Sequence, residues 1–595
     1  MVFSRFDHAI LALLAPLAFA ILISGLDDLL IDLAWAAAWL HSKLRPAASL
    51  FPPGPRQLDS APKRRIAILL PLWHEDAVIA RMIEHNSASI RYPDYHIFAG
   101  AYPNDDRTQA AIRGVAAKLP HVHLVLCPHD GPTSKADCLN WIFQHIGLYE
   151  ETHGARFEVI VTHDAEDIIH PDELHWINFY AGRYDFIQTP VLPLPTPFPQ
   201  ITHGLYCDEF AEYHTRDMPV RPLLGGFLPS AGVGTGYRRN ALDRLAESSS
   251  NRVFEPEALT EDYENGLKLF RLGCSQAFVP LVRGRTATGA RDYCATREFF
   301  PQNWSAALRQ RTRWITGIAL QTWQRHGWGT NPGEAYWLWR DRKGLLANPL
   351  GALANFVFVY GLATRIWTRA TPLAAGVVRL TLAVAALRLT VRMACSARIY
   401  GILFGLGAPL RTVYGNLLNA AATVQAVARF AKARALGLPL KWLKTDHAFP
   451  TRAALLADKK KLGEILVSSG YLTAAAVSAA LAGKAAEIRL GEHLVRCGVL
   501  DESLLYEALS LQQGLPVCDP AFEEIPPAAA RALPEHVARA WRVLPFRIAG
   551  GSLHLASPEP PSPEMSAGLR DFTSLELRFH LIPPAKFETL TNALL

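Results

Sequence analysis

The sequence is poor in charge. Asp, Glu, Lys and Arg make up 19% of its 595 residues, and the net charge is only +6. So mild and dispersed a basic balance leaves no electrostatic footprint for nucleic acid, and no nucleic-acid partner is expected. Disorder is excluded as the main state, because half of the residues are hydrophobic and 10% are aromatic. Cysteine is scarce and scattered. Cys127, Cys138, Cys207, Cys274, Cys294, Cys395, Cys497 and Cys518 form no CxxC, and none stands at zinc spacing from a histidine. A structural zinc and a disulfide framework are both excluded. Each cysteine reads as a reduced, buried hydrophobe, which suits soluble parts in a cytoplasm. No A-x-A site cleanly follows the first apolar run, so that run is expected as an uncleaved anchor.

What the chain has instead is concentrated apolar sequence. Residues 9–26 (AILALLAPLAFAILISGL) are close to the minimum for a spanning helix. Asp27, Asp28 and Asp32 then interrupt, and the DDLLIDLAWAAAWL stretch lies in the interface or forms a second span. Residues 345–364 are another candidate span. Residues 372–391 are a third, burdened by Arg379 and Arg388, which need a partner, a wet cavity or a substrate path. Residues 396–430 are amphipathic and basic, which suits a helix lying in the interface. The RDRK cluster at 340–343 places the adjoining soluble part in the cytoplasm, and an even number of crossings after it leaves both soluble parts there.

Length alone predicts two or three domains. Behind an anchor at 1–45 and a Pro/Ser-rich linker at 46–62, residues 63–335 alternate short apolar runs with helical segments. The runs are RRIAILLPLW, HIFAGAY, HVHLVLC and FEVIVTHDA. This is a βαβ pattern, whose ligands bind at the carboxyl ends of the strands. Membrane and interfacial helices are expected at 340–435, a second linker at 436–454, and a separate domain at 455–595. That last part holds an internal repeat. KLGEILVSSGYL from Lys461 and RLGEHLVRCGVL from Arg489 align at a shift of 28, pairing Leu462 with Leu490, Gly463 with Gly491 and Leu466 with Leu494. A match this close marks a duplicated helix–turn–helix. A shorter α+β tail follows, with the strand-like WRVLPFRIAGGSLHLAS and LELRFHLI.

Four clusters carry chemistry. Asp105 lies in YPNDD, which is equally a turn. THDAED offers Asp164, Glu166 and Asp167 at a strand end. Carboxylates two apart there can share Mg²⁺ or Mn²⁺, or form a solvated acidic turn. Thr260-Glu261-Asp262 offers a base for an acceptor hydroxyl, or a helix N-cap. Gln310, Arg313 and Trp314 form QxxRW, a guanidinium fork beside a flat apolar ring, or an ordinary helix face. GVGTG at 232–236 lacks the context of a dinucleotide loop and reads as backbone lining of a donor or acceptor pocket. PSAG is no nucleophile elbow. His163 reads as a residue that orients a neighbour. No carboxylate pair at hydrolase spacing can be claimed, which disfavours a glycosidase.

The order Asp, DxD-like, TED, QxxRW, then membrane helices resembles the processive family 2 glycosyltransferases of GT-A fold. YPNDD, GPTSKADCLN, HDAED, PSAGVGTG, LTEDYE, QRTRW and YWLWRDRKG are similar to the inner-membrane bacteriophage-adsorption protein B family over roughly residues 5–450. The repeat region, about 455–590, resembles the N-terminal domain of type II secretion ATPases of the MshE kind, which binds cyclic di-GMP. The resemblance implies an α/β GT-A domain with transmembrane helices and a C-terminal helical-repeat plus α+β MshEN-like domain.

The resemblance also assigns roles. Glu75 and Asp105 would seat the nucleoside, with Lys135 nearby. Asp164 and Glu166 would hold the metal, although the motif here is DAE with Asp167 next to it, which leaves the ligating carboxylate open. Asp262, beside Glu261, would be the general base of a single inverting displacement. Gln310, Arg313 and Trp314 would bind the pyrophosphate and the acceptor sugar. Cyclic di-GMP would meet Lys461, Leu462, Gly463 and Leu466 in the first copy, and Arg489, Leu490, Gly491, Leu494 and Gln512 in the second. The first copy departs, with Lys461 for Arg and Lys484 for Gln, and lysine lacks the bidentate fork. The implied protein is a bacterial inner-membrane enzyme. It takes a nucleotide-sugar donor, a UDP-sugar for preference, and a growing polysaccharide acceptor, with an outer-membrane export partner. The rival reading is a catalytically degenerate scaffold, a phage-adsorption or secretion component with a docking repeat.

Overall fold

A computed structural model describes residues 5–44, 58, 60–197, 199–285, 291–329, 331–438, 461–468, 471–485, 488–513, 515–549 and 552–594. The chain forms two compact units, one of residues 1–284 and 291–449, the other chiefly of residues 450–595.

The first unit is built on a seven-stranded sheet. Its strands are β1 (Ile66–Pro71), β2 (Tyr95–Ala101), β3 (Val122–Leu126), β4 (Val159–Thr162), β5 (Phe186–Gln188), β7 (Thr235–Arg238) and β8 (Gln276–Phe278), with β6 (Val191–Pro193) outside it. The order is β3-β2-β1-β4-β7-β5-β8. β1 runs parallel to β2 and β4, and β7 runs antiparallel to β4 and β5. The four apolar runs in the sequence are β1 to β4, and β1 is nearly all buried because helices cover both faces. Each fully buried Ile or Leu there contributes roughly 1.5–3 kcal/mol. β9 (Arg283–Arg285), β10 (Arg291–Tyr293) and β11 (Thr296–Glu298) follow, and β11 pairs in parallel with β6.

The N-terminal apolar run and the DDLL stretch, expected as separable pieces, form one helix, Arg5–Leu44. Asp27, Asp28 and Asp32 do not break it because each finds a cation far away in sequence. Lys343 Nζ lies 2.6 Å from Asp27 and 2.9 Å from Asp28. Arg340 pairs with both of these aspartates and with Asp217. Arg388 Nη1 is 2.7 Å from Asp32, and its Nη2 is 2.5 Å from Glu212. The partner demanded by an arginine near a span is therefore supplied. Arg379 is exposed and donates only to the Ala375 carbonyl, at 3.3 Å.

Among the described residues three helices, Arg5–Leu44, Gly344–Thr364 and Pro372–Tyr400, are long and apolar enough to cross a membrane. Residues 396–430 are not one helix. They include the end of Pro372–Tyr400, a short helix Ile402–Leu406, and most of Ala408–Leu436. The last of these packs against Gly344–Thr364, the helix Ile201–Glu212 and the helix Trp304–Trp314.

In the second unit the repeat forms two helix pairs, Leu462–Ser468 with Ala474–Gly483 and Leu490–Arg496 with Glu502–Gln513. The duplicated glycines explain their spacing. A Cβ on Gly463 would meet Val477 at 2.7 Å, and one on Gly491 would meet Leu505 at 2.5 Å. Leu466 and Leu494 are fully buried in the repeat core. The tail is the sheet β12 (Leu544–Ala549), β13 (Ser552–Ser557) and β14 (Glu576–Leu581). β12 is antiparallel to β13, and β14 is parallel to it.

Candidate active site

The carboxyl ends of β1, β2 and β4 open into a half-open cleft of about 70 Å³. Its walls include Trp73, Glu75, Tyr102, Lys135, Asp164 and Glu166. Three local structures aim these groups. Ser134 caps the helix Lys135–His153 by accepting from Asp137 N–H at 3.2 Å, which sets Lys135 on its first turn. Asp105 caps the helix Asp106–Ala116, and its other oxygen accepts the His74 N–H at 2.7 Å. Thr108 of the same helix accepts the Glu75 N–H at 3.1 Å. Burial works against the Asp105 carboxylate, but the donors from His74 and Thr108 win and hold its pKa below the usual value. Asp105 thus braces the loop that carries Glu75, and the cavity wall itself is Glu75.

The acidic loop after β4 divides its carboxylates. Asp167 is fully buried and turned inward. Its Oδ2 lies 2.8 Å from His163 Nδ1 and accepts the Asp164 N–H at 3.0 Å. His163 Nε2 lies 3.0 Å from Glu173. Burial disfavours the charged imidazole, yet Glu173 and Asp167 outweigh it and lift its pKa to about 9. His163 therefore orients its neighbours, as the sequence suggests. Asp164 and Glu166 remain on the cavity wall. Two hard oxygen donors side by side fit Mg²⁺ or Mn²⁺, which fills its other positions from diphosphate oxygens and water. Among the described residues no group of three or more His, Cys, Asp or Glu could hold a metal ion, so a donor would have to complete the shell.

TED and QxxRW meet on the same side. Lys135 Nζ is 2.5 Å from Asp164 Oδ1. Burial penalises its ammonium, but Asp164, Glu261 and Asp262 raise its pKa above the ordinary value. Glu261 and Asp262 sit in the first turn of the helix Glu261–Arg271, where the helix dipole favours carboxylates. Thr260 stands at the N-cap without capping through its side chain. Burial and the Asp262 charge push Glu261 up to about 7. Burial also raises Asp262, against the pull of Lys135, the Tyr263 N–H and Arg313.

The QxxRW helix, Trp304–Trp314, presents two faces. Arg311 forks onto Glu209 at 2.7 and 3.2 Å and reaches Asn419 at 2.6 Å, while Thr312 donates to Gln425 at 2.8 Å. That face ties the helix Trp304–Trp314 to the helices Ile201–Glu212 and Ala408–Leu436. Gln310 and Arg313 differ, since Gln310 Oε1 and Arg313 Nε are buried without hydrogen-bond partners. Buried polar atoms without a partner call for an explanation, and Arg313 is held near the acidic pair by its Nη1, which donates to the Leu259 carbonyl at 3.5 Å. Trp314 closes an aromatic cluster with Tyr206 and Phe300, at centroid distances of 6.0 and 6.3 Å.

One further contributor is the GVGTG segment read from the sequence as pocket lining, and others carry no motif. Gly232 has φ +81°, and a Cβ there would come within 2.7 Å of Asp262 Oδ2 and 3.5 Å of Lys135 Nζ. GVGTG is thus backbone lining beside the acidic pair, at the entry to β7. A π-helical turn, Ile315–Gln321, directly follows QxxRW. Its Gly317 lets Thr260 approach, where a Cβ would collide at 2.4 Å, and its Gln321 accepts the Leu259 N–H at 2.9 Å. Glu298 on β11 is half-buried, and its pKa rises through desolvation and through Asp167, Glu166 and Asp164. β11 is fastened to the acidic loop by paired backbone bonds between Arg297 and Ile168 at 2.8 and 3.0 Å. GVGTG stands out in the sequence as pocket lining, whereas Gly317, Gln321 and Glu298 carry no spacing signal.

In the second unit, Arg489 takes the N-cap position of Leu490–Arg496, and Gln512 closes the helix Glu502–Gln513. Lys484 Nζ is engaged with its own loop, donating to the Ile488 and Ala485 carbonyls at 2.7 and 3.1 Å. Lys461 is exposed, and Leu462 and Leu490 are half-buried.

Comparison with known proteins accords with this geometry. A family model described as glycosyltransferase like family 2 matches residues 62–317, and an MshEN domain model matches residues 513–595. Bacteriophage adsorption protein B of Escherichia coli K12 is 32% identical over 607 aligned positions, covering 98% of this chain and 81% of the relative. The chain belongs to the bacteriophage adsorption protein B family. Its second member here, bacteriophage N4 adsorption protein B of Escherichia coli O157:H7, matches to the same extent. Among solved structures, the mannosyltransferase PcManGT from Pyrobaculum calidifontis, in complex with GDP-Man and Mn²⁺, is 18% identical. It covers 68% of this chain and 99% of its own, with a TM-score of 0.38. A structure of MshE with cdg is 28% identical and covers 23% of this chain and 99% of its own, with a TM-score of 0.21. The fold class is the expected one: a GT-A-like mixed α/β sheet, apolar helices that are candidate spans, and a C-terminal MshEN domain. The MshEN match begins at residue 513, so the duplicated helices at 461–512 lie ahead of it.

Proposed function

We propose that this membrane glycosyltransferase is metal-dependent and inverting, and that it extends an exopolysaccharide from a nucleotide-sugar donor, with a UDP-sugar as the first to test. The observation that carries the reading is the meeting of three separate motifs at Lys135, which contacts Asp164 at 2.5 Å and shares the Gly232 gap with Asp262. Asp262 takes the proton of an acceptor hydroxyl as that oxygen attacks the anomeric carbon. The bond from that carbon to the diphosphate breaks on the opposite face, so a single displacement inverts the configuration. Arg313 faces the departing charge, and Gln310 and Trp314 seat the pyrophosphate and the acceptor ring. Asp164 and Glu166 would hold Mg²⁺ or Mn²⁺, which neutralises diphosphate charge when bound.

The protein is proposed as multi-pass in a bacterial inner membrane. Gly344–Thr364 and Pro372–Tyr400 form a hairpin of spans that returns the chain to the side of the Arg340–Lys343 cluster, the cytoplasm. The C-terminal unit is proposed as the receptor for cyclic di-GMP, read by Arg489 and Gln512 with weaker contributions from Lys461 and Lys484. Its support is the MshEN match and the intact second copy of the repeat. An export partner in the outer membrane belongs to the same reading. The test incubates membranes holding the full chain with a panel of sugar nucleotides, with and without Mn²⁺ and cyclic di-GMP, and follows nucleotide release. Metal-dependent release from one donor, raised by cyclic di-GMP, is expected. Absence of release from every donor would leave a scaffold.

A further inference from the structure

The helix Pro332–Arg342 runs on through Lys343, which keeps helical φ and ψ, into Gly344–Thr364. Trp339, Arg342 and Leu346 lie three and four residues apart and share one face. Leu346 is 76% exposed and Trp339 38% exposed. Arg342 therefore stands one turn, about 6 Å, below the first lipid-facing leucine, at the level of a phosphate layer.

Arg342 is only 4% exposed, and its Nε, Nη1 and Nη2 are all buried without a hydrogen-bond partner. The neighbouring carboxylates are already committed. Asp341 holds Arg221 at 2.5 Å and accepts the Tyr263 hydroxyl at 2.6 Å, and Glu334 holds Arg271 at 2.6 Å. Burial lowers the pKa of the Arg342 guanidinium more than Tyr263 and Asp341 restore it. Its neighbours are two indoles, Trp328 at 4.8 Å and Trp323 at 5.6 Å from the guanidinium carbon to the ring centroid. Trp328 lies between Gly327 (φ +66°) and Gly329 (φ +95°), and with Trp323 it reaches the surface, the two being 45% and 39% exposed. A buried guanidinium without an anion is strongly unfavourable, and tryptophan is the residue of membrane interfaces.

We infer that Arg342, Trp323 and Trp328 form a receptor for the phosphate of an anionic membrane lipid, the guanidinium forking onto phosphate oxygens and the indoles covering the glycerol region. This site rests on the reading of Gly344–Thr364 as a span and is separate from the sugar-transfer cavity, so its failure would leave nucleotide release untouched.

The test uses the full chain in detergent, titrated with phosphatidylglycerol and read by native mass spectrometry. The variants are Arg342→Gln, Arg342→Lys and, as a control, Arg379→Gln. The wild type and the Arg379 variant are expected to retain one lipid more than Arg342→Gln, with affinity for that lipid roughly tenfold higher. Millimolar inorganic phosphate is expected not to displace it. Equal retention by wild type and Arg342→Gln would overturn the proposal, and displacement by inorganic phosphate would overturn its lipid assignment. Thermal unfolding is recorded for each protein. Arg342→Lys, which keeps the charge and loses the fork, decides the matter should the Gln variant not fold. Weaker lipid retention at an unchanged midpoint supports the site, and unchanged retention overturns it.

Discussion

Two buried charge clusters in the first unit look alike in composition and differ in balance. Around the acidic end of the N-terminal helix, Asp27, Asp28, Asp32, Glu212 and Asp217 meet Arg216, Arg340, Lys343, Arg388 and Arg392, mostly at 2.5–2.9 Å. Acids and bases are matched, and nothing is left for a ligand to do. Beside the cavity that Asp164, Glu166 and Lys135 line, the carboxyls of Glu261, Asp262 and Glu298 have mainly Lys135 and Arg313 as counter-charges, and burial raises the pKa values of all three. The matched cluster is a fastening between membrane helices and sheet. The unmatched one is where the proposed metal and donor would supply the missing charge.

The contrast can be broken from either side. Asp262→Asn removes the proton acceptor and is expected to cut sugar transfer about 10³-fold, with abundance and unfolding midpoint unchanged; enzyme assays on membranes, with immunoblots, check this. In the matched cluster, Arg388→Gln leaves Asp32 and Glu212 short of a cation. It is expected to destabilise the unit by about 3 kcal/mol, read as a lower unfolding midpoint in detergent. Gly232→Ala combines a left-handed backbone with a Cβ near Asp262. A loss of roughly 1–2 kcal/mol and a larger fall in transfer are expected, from the same two measurements. A fourth effect is one of pH. Glu261 titrates near 7 folded against an ordinary 4.5, so the folded state holds a proton that the unfolded state releases. The associated stability is fully present below about 4.5 and is lost as pH rises through 7. Glu261→Gln is expected to flatten the unfolding midpoint across that window.

The same contrast separates what is legible in sequence from what is not. β1 to β4 announce themselves because each is a short apolar run bounded by polar residues. β7, the four residues TGYR, has no such pattern, although it completes the sheet between β4 and β5. Asp27, Asp28 and Asp32 look like the end of a helix, since their partners lie some 300 residues away and only folding brings them together. The motif residues Asp164, Glu166, Asp262, Gln310 and Arg313 are legible because their chemistry is conspicuous. Asp105 is named equally readily, yet it braces the loop carrying Glu75. Asp167 looks identical to Asp164 in sequence, and only the buried His163 tells them apart. Gly232 and Gly317 act by having no side chain, and that shows only beside the atoms they make room for.

Whether the cavity is a metal–nucleotide site is tested most directly by calorimetric titration of the detergent-purified chain with nucleoside diphosphates, with and without Mn²⁺. Metal-dependent binding is predicted that Asp164→Asn abolishes and Asp262→Asn retains. Equal binding by wild type and Asp164→Asn, or none to any nucleoside diphosphate, would contradict it.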